Sequence, residues 1–342
     1  MCSLLIKAAG PLTSVQDMGR VGVERYGLAP SGAMDKRALA EANTLVDMAK
    51  EAAAIEIGPF GFSACLFESE AACALTGASR SVRINGMHAR MYESLSLKSG
   101  DVIEMDAARN GAFSYLAFQG GLAGDRVFGS LSVNARAQIG APYPRPLQAG
   151  DVLHILPGQN VSPRRRLIPP KHAHRVVRII LGPQQDRFHN VMDAFLESDW
   201  TLSTACDRMG YRLNGPRIHA HDGHDIISDG TVNGSIQIPG DGCPIVLMPD
   251  RGTTGGYPKI ATVITPDLGM LAQMPFGQAF RFVVVDIEEA QRLCRLFYAE
   301  LNNIQNRLLP TDDQIDEKLL ALHNIAGNAV SGLDVATWQD EQ

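Results

Sequence analysis

The chain has 342 residues, 45% of them hydrophobic and 20% charged, and a formal net charge of −6. Length and composition describe a folded globular protein of about two domains rather than a disordered one, and the acidic balance excludes a general binder of nucleic-acid backbones, which needs a basic surface. The cysteines Cys2, Cys65, Cys73, Cys206, Cys243 and Cys294 form no C-x-x-C pair, which excludes a zinc ligand set and a small secreted disulfide framework.

The opening "MCSLLIKAAG" lacks a basic lead-in, and Lys7 cuts its apolar run short. No signal peptide is expected, nor any membrane span, and the expectation is a cytoplasmic protein. "LLIKA" then reads as the first of many short strands. "SVRING", "SYLAFQG" and "VLHIL" follow in the first half, and "VVRIIL", "SIQI", "PIVLM", "IATVIT" and "FRFVVV" in the second. Short apolar runs at close spacing, punctuated by glycine and proline, predict a mainly β chain of barrels or sandwiches with a few helices. The first helix is expected over 31–54, with Ser31 as its N-cap. A shorter one is expected over 187–199. A third, over 286–309, opens on Asp286 and Glu289 in the manner of a capping box.

The stretch 158–175, with its prolines and basic cluster, is the expected boundary between two halves. After Pro310 the chain is polar and weakly patterned, and a loosely packed helical tail is expected there. The halves echo one another. Gly10-Pro11 and Gly182-Pro183 each end a strand, and "VQDMGRVG" and "CDRMGYRLNG" each follow with an aspartate–glycine turn. "SLKSGDVIEM" and "PLQAGDVLHI" make a second echo, with "MPFGQAFRFV" as a looser third copy.

Chemistry gathers where glycine meets charge. In "TSVQDMGRVGVERYG", Gln16, Asp17 and Arg20 sit on a tight turn, either as ligand contacts or as an Asp17–Arg20 pair stapling the loop. In "APSGAMDKRALAEAN", Ser31, Gly32 and the free N–H groups of a helix start suit a carboxylate or phosphate, or serve only as a cap. In "DRMGYRLNG", Arg208 and Arg212 are fork-shaped donors, with Asp207 beside them. "RGTTGGYPKIATV" fails the P-loop pattern, since Pro258-Lys259 follows Gly-Gly-Tyr and no helix pattern comes next. Its Thr253, Thr254, Gly255 and Gly256 with Lys259 form either an anion nest or a hairpin turn. The loop "IHAHDGHD" brings His219, His221 and His224 near Asp222 and Asp225, but a solvated loop is the simpler reading than a metal site. No metal is expected, and no G-x-S-x-G marks a serine nucleophile.

Together "GPLTSVQDMGRVG", "PSGAMD", "AEANTLV", "ALTGA", "YLAFQGGL", "DRMGYRLNGP", "GSIQIPGDGCPIVLMPD" and "TTGGYPKIATVITPDLGMLAQM" resemble one family, in family order from residue 10 to about 282. It is known as KipA, as allophanate hydrolase subunit 2 and as the C component of the prokaryotic 5-oxoprolinase. It is similar to the second half of the carboxyltransferase domain of urea carboxylase. The resemblance implies two tandem cyclophilin-like β-barrels, placed at 1–157 and 176–309, the second ending in a C-terminal helix, with a tail over 310–342. It implies the KipI-like B component of 5-oxoprolinase as partner. The A component is added in an assembly that opens 5-oxoproline to glutamate with ATP, the ATP bound by the complex. The alternatives are the carboxyltransferase component of a biotin-dependent urea or amide carboxylase, with biotin on a separate carrier, or a regulatory module antagonising KipI.

On the matched motifs, Arg208 and Lys259 would stabilise a developing anion. Asp17 or Asp207 would orient an amide or accept its proton. Gln16, Arg20, Ser31, Gly32, Gln237, Tyr257 and the 253–256 turn would shape the pocket. An exposed Lys259 implies that its replacement by alanine would barely touch stability. The sequence departs from the family pattern where Leu131 and Val133 replace an arginine and a threonine, which points to a different substrate or a weaker activity.

Overall fold

The computed structural model describes residues 2–158, 164–170 and 176–311. The expected tail therefore lies almost wholly outside the described residues, as does part of the expected boundary. Every apolar run quoted above falls on a strand. Four α-helices occur among the described residues: α1 (Lys36–Leu45), α2 (Met192–Glu197), α3 (Thr265–Ala272) and α4 (Ile287–Asn302). The mainly β reading holds.

In the first half a six-stranded and a five-stranded sheet enclose one apolar core. Leu4, Ile6, Ile55, Phe62, Leu75, Ile103, Leu116 and Leu153 meet there, none more than 1% exposed. Alternation along the strands puts these side chains on one face. A bridge from Leu122 to Ile155 ties the end of strand Asn110–Phe118 to the edge strand Val152–Ile155 of the other sheet.

The second half is a seven-stranded sheet, from Thr201–Cys206 at one edge to Arg281–Val284 at the other. Only its last pair, Val176–Leu181 with Arg281–Val284, runs parallel. The two edges meet. Trp200 and Phe280 exchange backbone hydrogen bonds of 2.8 and 2.9 Å, a single bridge that brings the two ends of the sheet together. Trp200, Phe195 and Phe282 pack beneath that bridge. Their core is continuous with Leu39, Leu45, Phe113 and Tyr115 of the first half.

The first helix is shorter than its sequence predicts, and its cap is a different residue. Asp35, not Ser31, accepts the N–H groups of Arg37 and Ala38, both at 3.1 Å. Ser31 lies in a left-handed turn at φ 56°. The alanine-rich continuation does not stay helical. Asp47 turns the chain at φ 56°, and Ala54–Ile57 becomes a strand between Ser14–Gln16 and Asn110–Phe118. Two ladders of backbone bonds and a fully buried site outweigh alanine's helical propensity, the highest of any residue but worth less than about 1 kcal/mol each. The N-cap of α4 is present, with the Glu289 N–H 2.7 Å from Asp286 Oδ1, but the expected box does not close, because the Glu289 carboxylate pairs with Arg292 instead.

The sequence echoes are structural. Gly100 and Gly150 both take left-handed φ, +93° and +94°. In each turn the following aspartate accepts the N–H two residues before the glycine, Lys98 at 2.7 Å and Gln148 at 2.8 Å. Each glycine N–H then bonds to a neighbouring strand, Gly100 to Leu66 O and Gly150 to Ile6 O. The third copy keeps the left-handed glycine, Gly277, and the bond from Gln278 N–H to Pro275 O.

Candidate functional site

The two aspartate turns are the same device in opposite surroundings. Asp17 accepts the N–H of Gly19 at 2.8 Å, and Asp207 accepts those of Met209 and Gly210 at 2.7 and 3.1 Å, as aspartate does in short turns. Asp17 is buried, and its carboxylate also receives Ser130 Oγ, Ser132 Oγ and the Leu131 N–H at 2.7, 2.5 and 2.8 Å. A carboxylate holding four donors is a staple, not a free base. Its partners are the serines and Leu131, not Arg20. Arg20 instead donates to the Val127 and Ser132 carbonyls, and Gln16 is buried against Ser14 and Val133 O. Gly32 packs so closely on Gly19 that a Cβ would lie 2.8 Å from Gly19 N.

Arg208 is also committed. It is 8% exposed and spans the two halves. From the second half it donates to Asp250 (Nε–Oδ2 2.8 Å), and across to the first half it donates to Glu56 and to Gly32 O at 2.7 Å. Tyr115 Oη and the Met34 N–H complete the shell of Glu56 at 2.7 and 2.8 Å. Burial opposes the charge on Arg208, but Asp250 and Glu56 outweigh it and hold the guanidinium above its usual range. The expected anion donor is thus a clamp between the halves, and its partners Glu56 and Asp250 carry no sign in the sequence beyond their charge.

Asp207 remains open. It is exposed, it uses Oδ1 for the turn, and no partner holds Oδ2 among the described residues. Its turn separates two cavities. On one side is a cleft of about 190 Å³ between the halves, walled by Leu12, Val133 and Met209, with Asn134 and Arg136. No motif in the sequence marks Arg136. It is exposed, and its Nη1 lies 3.2 Å from Met209 Sδ. Leu131 and Val133 are buried in the first-half core, so this wall of the cleft is apolar.

On the other side is a groove of about 300 Å³ on the outer face of the second-half sheet. It brings Asp207 together with Gln237 and Thr254, with Arg212 and Gly252 at its walls. Tyr211 and Val246, the neighbours in alternation, point into the core. Gln237 is 7% exposed, and its buried Nε2 has no hydrogen-bond partner. A Cβ on Gly255 would lie 2.2 Å from that nitrogen, so only glycine lets the covering strand lie so close. A buried unpaired amide donor costs free energy unless something occupies it. The groove therefore offers the amide of Gln237, one carboxylate oxygen of Asp207, a hydroxyl at Thr254 and the guanidinium of Arg212, which reaches Asp241.

The glycine stretch 251–259 forms a short ladder. Thr254–Gly255 pairs with Asp229–Gly230, Thr231 N–H donates to Thr253 O, and Ile226 N–H to Gly256 O. Lys259 is 3% exposed, opposite Gln237 on the adjacent strand, and its Nζ donates to Asp229 Oδ2 at 2.8 Å. The expectation of an exposed lysine is overturned, because the 226–231 segment lies over this face. Tyr257 is 40% exposed and does not line the groove. The histidines do not converge. His221 Nδ1 lies 3.0 Å from Arg187 O, while His219 and His224 lie against Gly242 and Gly240.

A family model described as the carboxyltransferase domain, subdomain A and B, matches residues 26–284. The chain is similar to the C component of 5-oxoprolinase from Haemophilus influenzae, 35% identical over 82% of this chain and 91% of that one. It is similar to the same component from Escherichia coli, 38% identical over 84% and 93%. The crystal structure of the Kluyveromyces lactis urea carboxylase matches it with a TM-score of 0.83 at 26% identity, over 91% of this chain and 30% of that one.

Proposed function

Because this chain belongs to the carboxyltransferase-domain family, subdomains A and B, we propose that it serves as the C component of an ATP-dependent 5-oxoprolinase complex. With a KipI-like B component and an A component, that complex opens 5-oxoproline to glutamate. The observation that carries the reading is the match to two proteins of that name across more than nine tenths of their lengths, 91% and 93%.

The groove beside Asp207 suits the substrate. A five-membered lactam presents a carbonyl, an N–H and a carboxylate. The carbonyl accepts from the Gln237 amide, turned so that its N–H rather than its oxygen faces the groove. The lactam N–H meets Asp207 Oδ2, and the carboxylate takes the side of Thr254 and Arg212. Hydrolysis breaks the ring C–N bond, a water oxygen becoming part of the new carboxylate and both of that water's protons passing to the ring nitrogen, which leaves as the ammonium of glutamate. A donor on the carbonyl oxygen stabilises the charge that develops there, and a carboxylate beside the nitrogen orients it for protonation. ATP does not fit the Gly255–Gly256 turn. That turn is laddered to 229–230 and leads into strand Lys259–Val263 rather than a helix, so its N–H groups form no phosphate cradle. ATP chemistry is assigned to the partner components.

The test is reconstitution. The chain, co-expressed with the B and A components, should release glutamate from 5-oxoproline only when ATP is present. Gln237→Ala and Asp207→Asn should each lower kcat by about ten- to a thousandfold, with assembly unchanged. An intact complex that makes no ATP-dependent glutamate rejects the reading.

A further inference from the structure

Away from the groove, a cavity of about 380 Å³ lies where α1, α3 and α4 meet. Two of its polar groups are unanswered. Lys36, the first residue of α1, lines it with no hydrogen bond or ion pair among the described residues, and burial pulls its ammonium below the usual lysine range. Asn233 Oδ1 is buried without a partner. The acids in the same wall are already engaged. Asp267 is held by Arg178, with Nε–Oδ2 at 3.0 Å, and Asp35 caps α1 and accepts Gln273 Nε2 at 3.0 Å. Asp17 is the acid whose charge reaches Lys36, but its oxygens are bonded to Gly19, Ser130, Leu131 and Ser132, and no carboxylate among the described residues bonds the ammonium. The N-terminal ends of both α1 and α3 face this space, and α3 has no side-chain cap. Helix N-termini add positive potential and favour an anion.

We propose that this chamber binds a small oxyanion that also carries an N–H or O–H donor. The oxyanion sits against Lys36 and the start of α3, and the donor meets Asn233 Oδ1. An ammonium and a bare amide oxygen lining one chamber select a ligand with both features over a simple anion. The chamber is separate from the groove at Asp207, and the proposal does not depend on the activity assigned there.

Isothermal titration of the full chain with N-acetylglycine, and separately with glycerol phosphate, tests it and distinguishes a carboxylate from a phosphate ligand. At least one should bind. Lys36→Met should weaken that binding about tenfold or more, the usual worth of a charge-assisted contact, and Asn233→Leu should weaken it less. Lys36→Arg should retain it, which separates loss of charge from a disturbed helix start. Asp207→Asn, in the groove, should leave it unchanged. Binding of neither probe, equal affinity in Lys36→Met, or loss of binding in Asp207→Asn would overturn the proposal, and none of these results bears on glutamate release by the complex.

Discussion

At the scale of single residues, burial decides which charged groups are available. Asp17 and Asp207 are the same residue type in the same turn, yet one holds four donors and the other keeps an oxygen free. Glu41 shows the cost of an incompletely paired buried acid. It is 0% exposed, its Oε1 lies 3.3 Å from Arg307 Nη1, and its Oε2 has no partner. Burial first, and the nearby charge of Asp35 second, push its carboxyl up to about 7. The folded pKa lies above the unfolded one, so Glu41 costs nothing while both states are protonated. As pH rises from the ordinary carboxylate range to about 7, the unfolded chain ionises first and stability falls. Glu41→Gln removes this dependence. It should match the parent near pH 4 and exceed it by on the order of 1–3 kcal/mol at pH 8, read from urea midpoints at both values. A difference that does not change with pH would contradict this assignment.

Lys259 belongs to the same scale. With its stem buried and its amine on Asp229, Lys259→Ala should cost on the order of 1–2 kcal/mol, and Lys259→Met should recover much of that. A chemical denaturation series distinguishes this from the negligible effect expected of an exposed lysine.

At the scale of elements, local signals mark strands and helix starts better than helix lengths. The Asp286 cap is legible because its pattern is local. The Asp35 cap is not, because "PSGAMDK" offers Ser31 as an equal candidate and only packing chooses between them. Asp35 also joins the Tyr115 and Gln273 contacts, whereas Asp286 sits on the surface. Asp286→Ala should therefore cost about 1 kcal/mol, the usual worth of a cap. Asp35→Ala should cost more, by roughly another hydrogen bond's worth of about 1 kcal/mol. Equal losses in denaturant melts would show that the Gln273 contact carries nothing.

At the scale of the whole molecule, the halves are joined by a shared apolar core, by the bonds of Gln273 to Asp35 and Phe113, and by the buried cluster of Glu56, Arg208 and Asp250. Removing one member of a buried ion pair strands the other charge. Arg208→Ala should thus destabilise by about 3–5 kcal/mol. Arg208→Met combined with Glu56→Leu should lose less than the sum of the single changes, because Glu56 is then no longer stranded and only Asp250 is left without its partner. A double-mutant cycle by urea denaturation measures this. Additive losses would show that the halves do not depend on the pair.

Everything legible in the chain before folding is local or periodic. Apolar runs of strand length placed the strands, and the repeated G-D turns recur with the same glycine conformation and the same bonds. The motif set placed the chain in its family, because those turns and caps recur at fixed spacing. The site was legible only as a pool of candidates. Glycine and charge marked Asp207 and Thr254, and the family motifs Gln237, which the structure brings to one groove. The same marks also chose Asp17, Arg208 and Lys259, which it buries with partners. Partner and burial depend on contacts between residues far apart in the chain, as when Glu56 meets Arg208. No local pattern encodes those distances, so only the tertiary structure could separate the charges that hold the fold from those left free to meet a ligand.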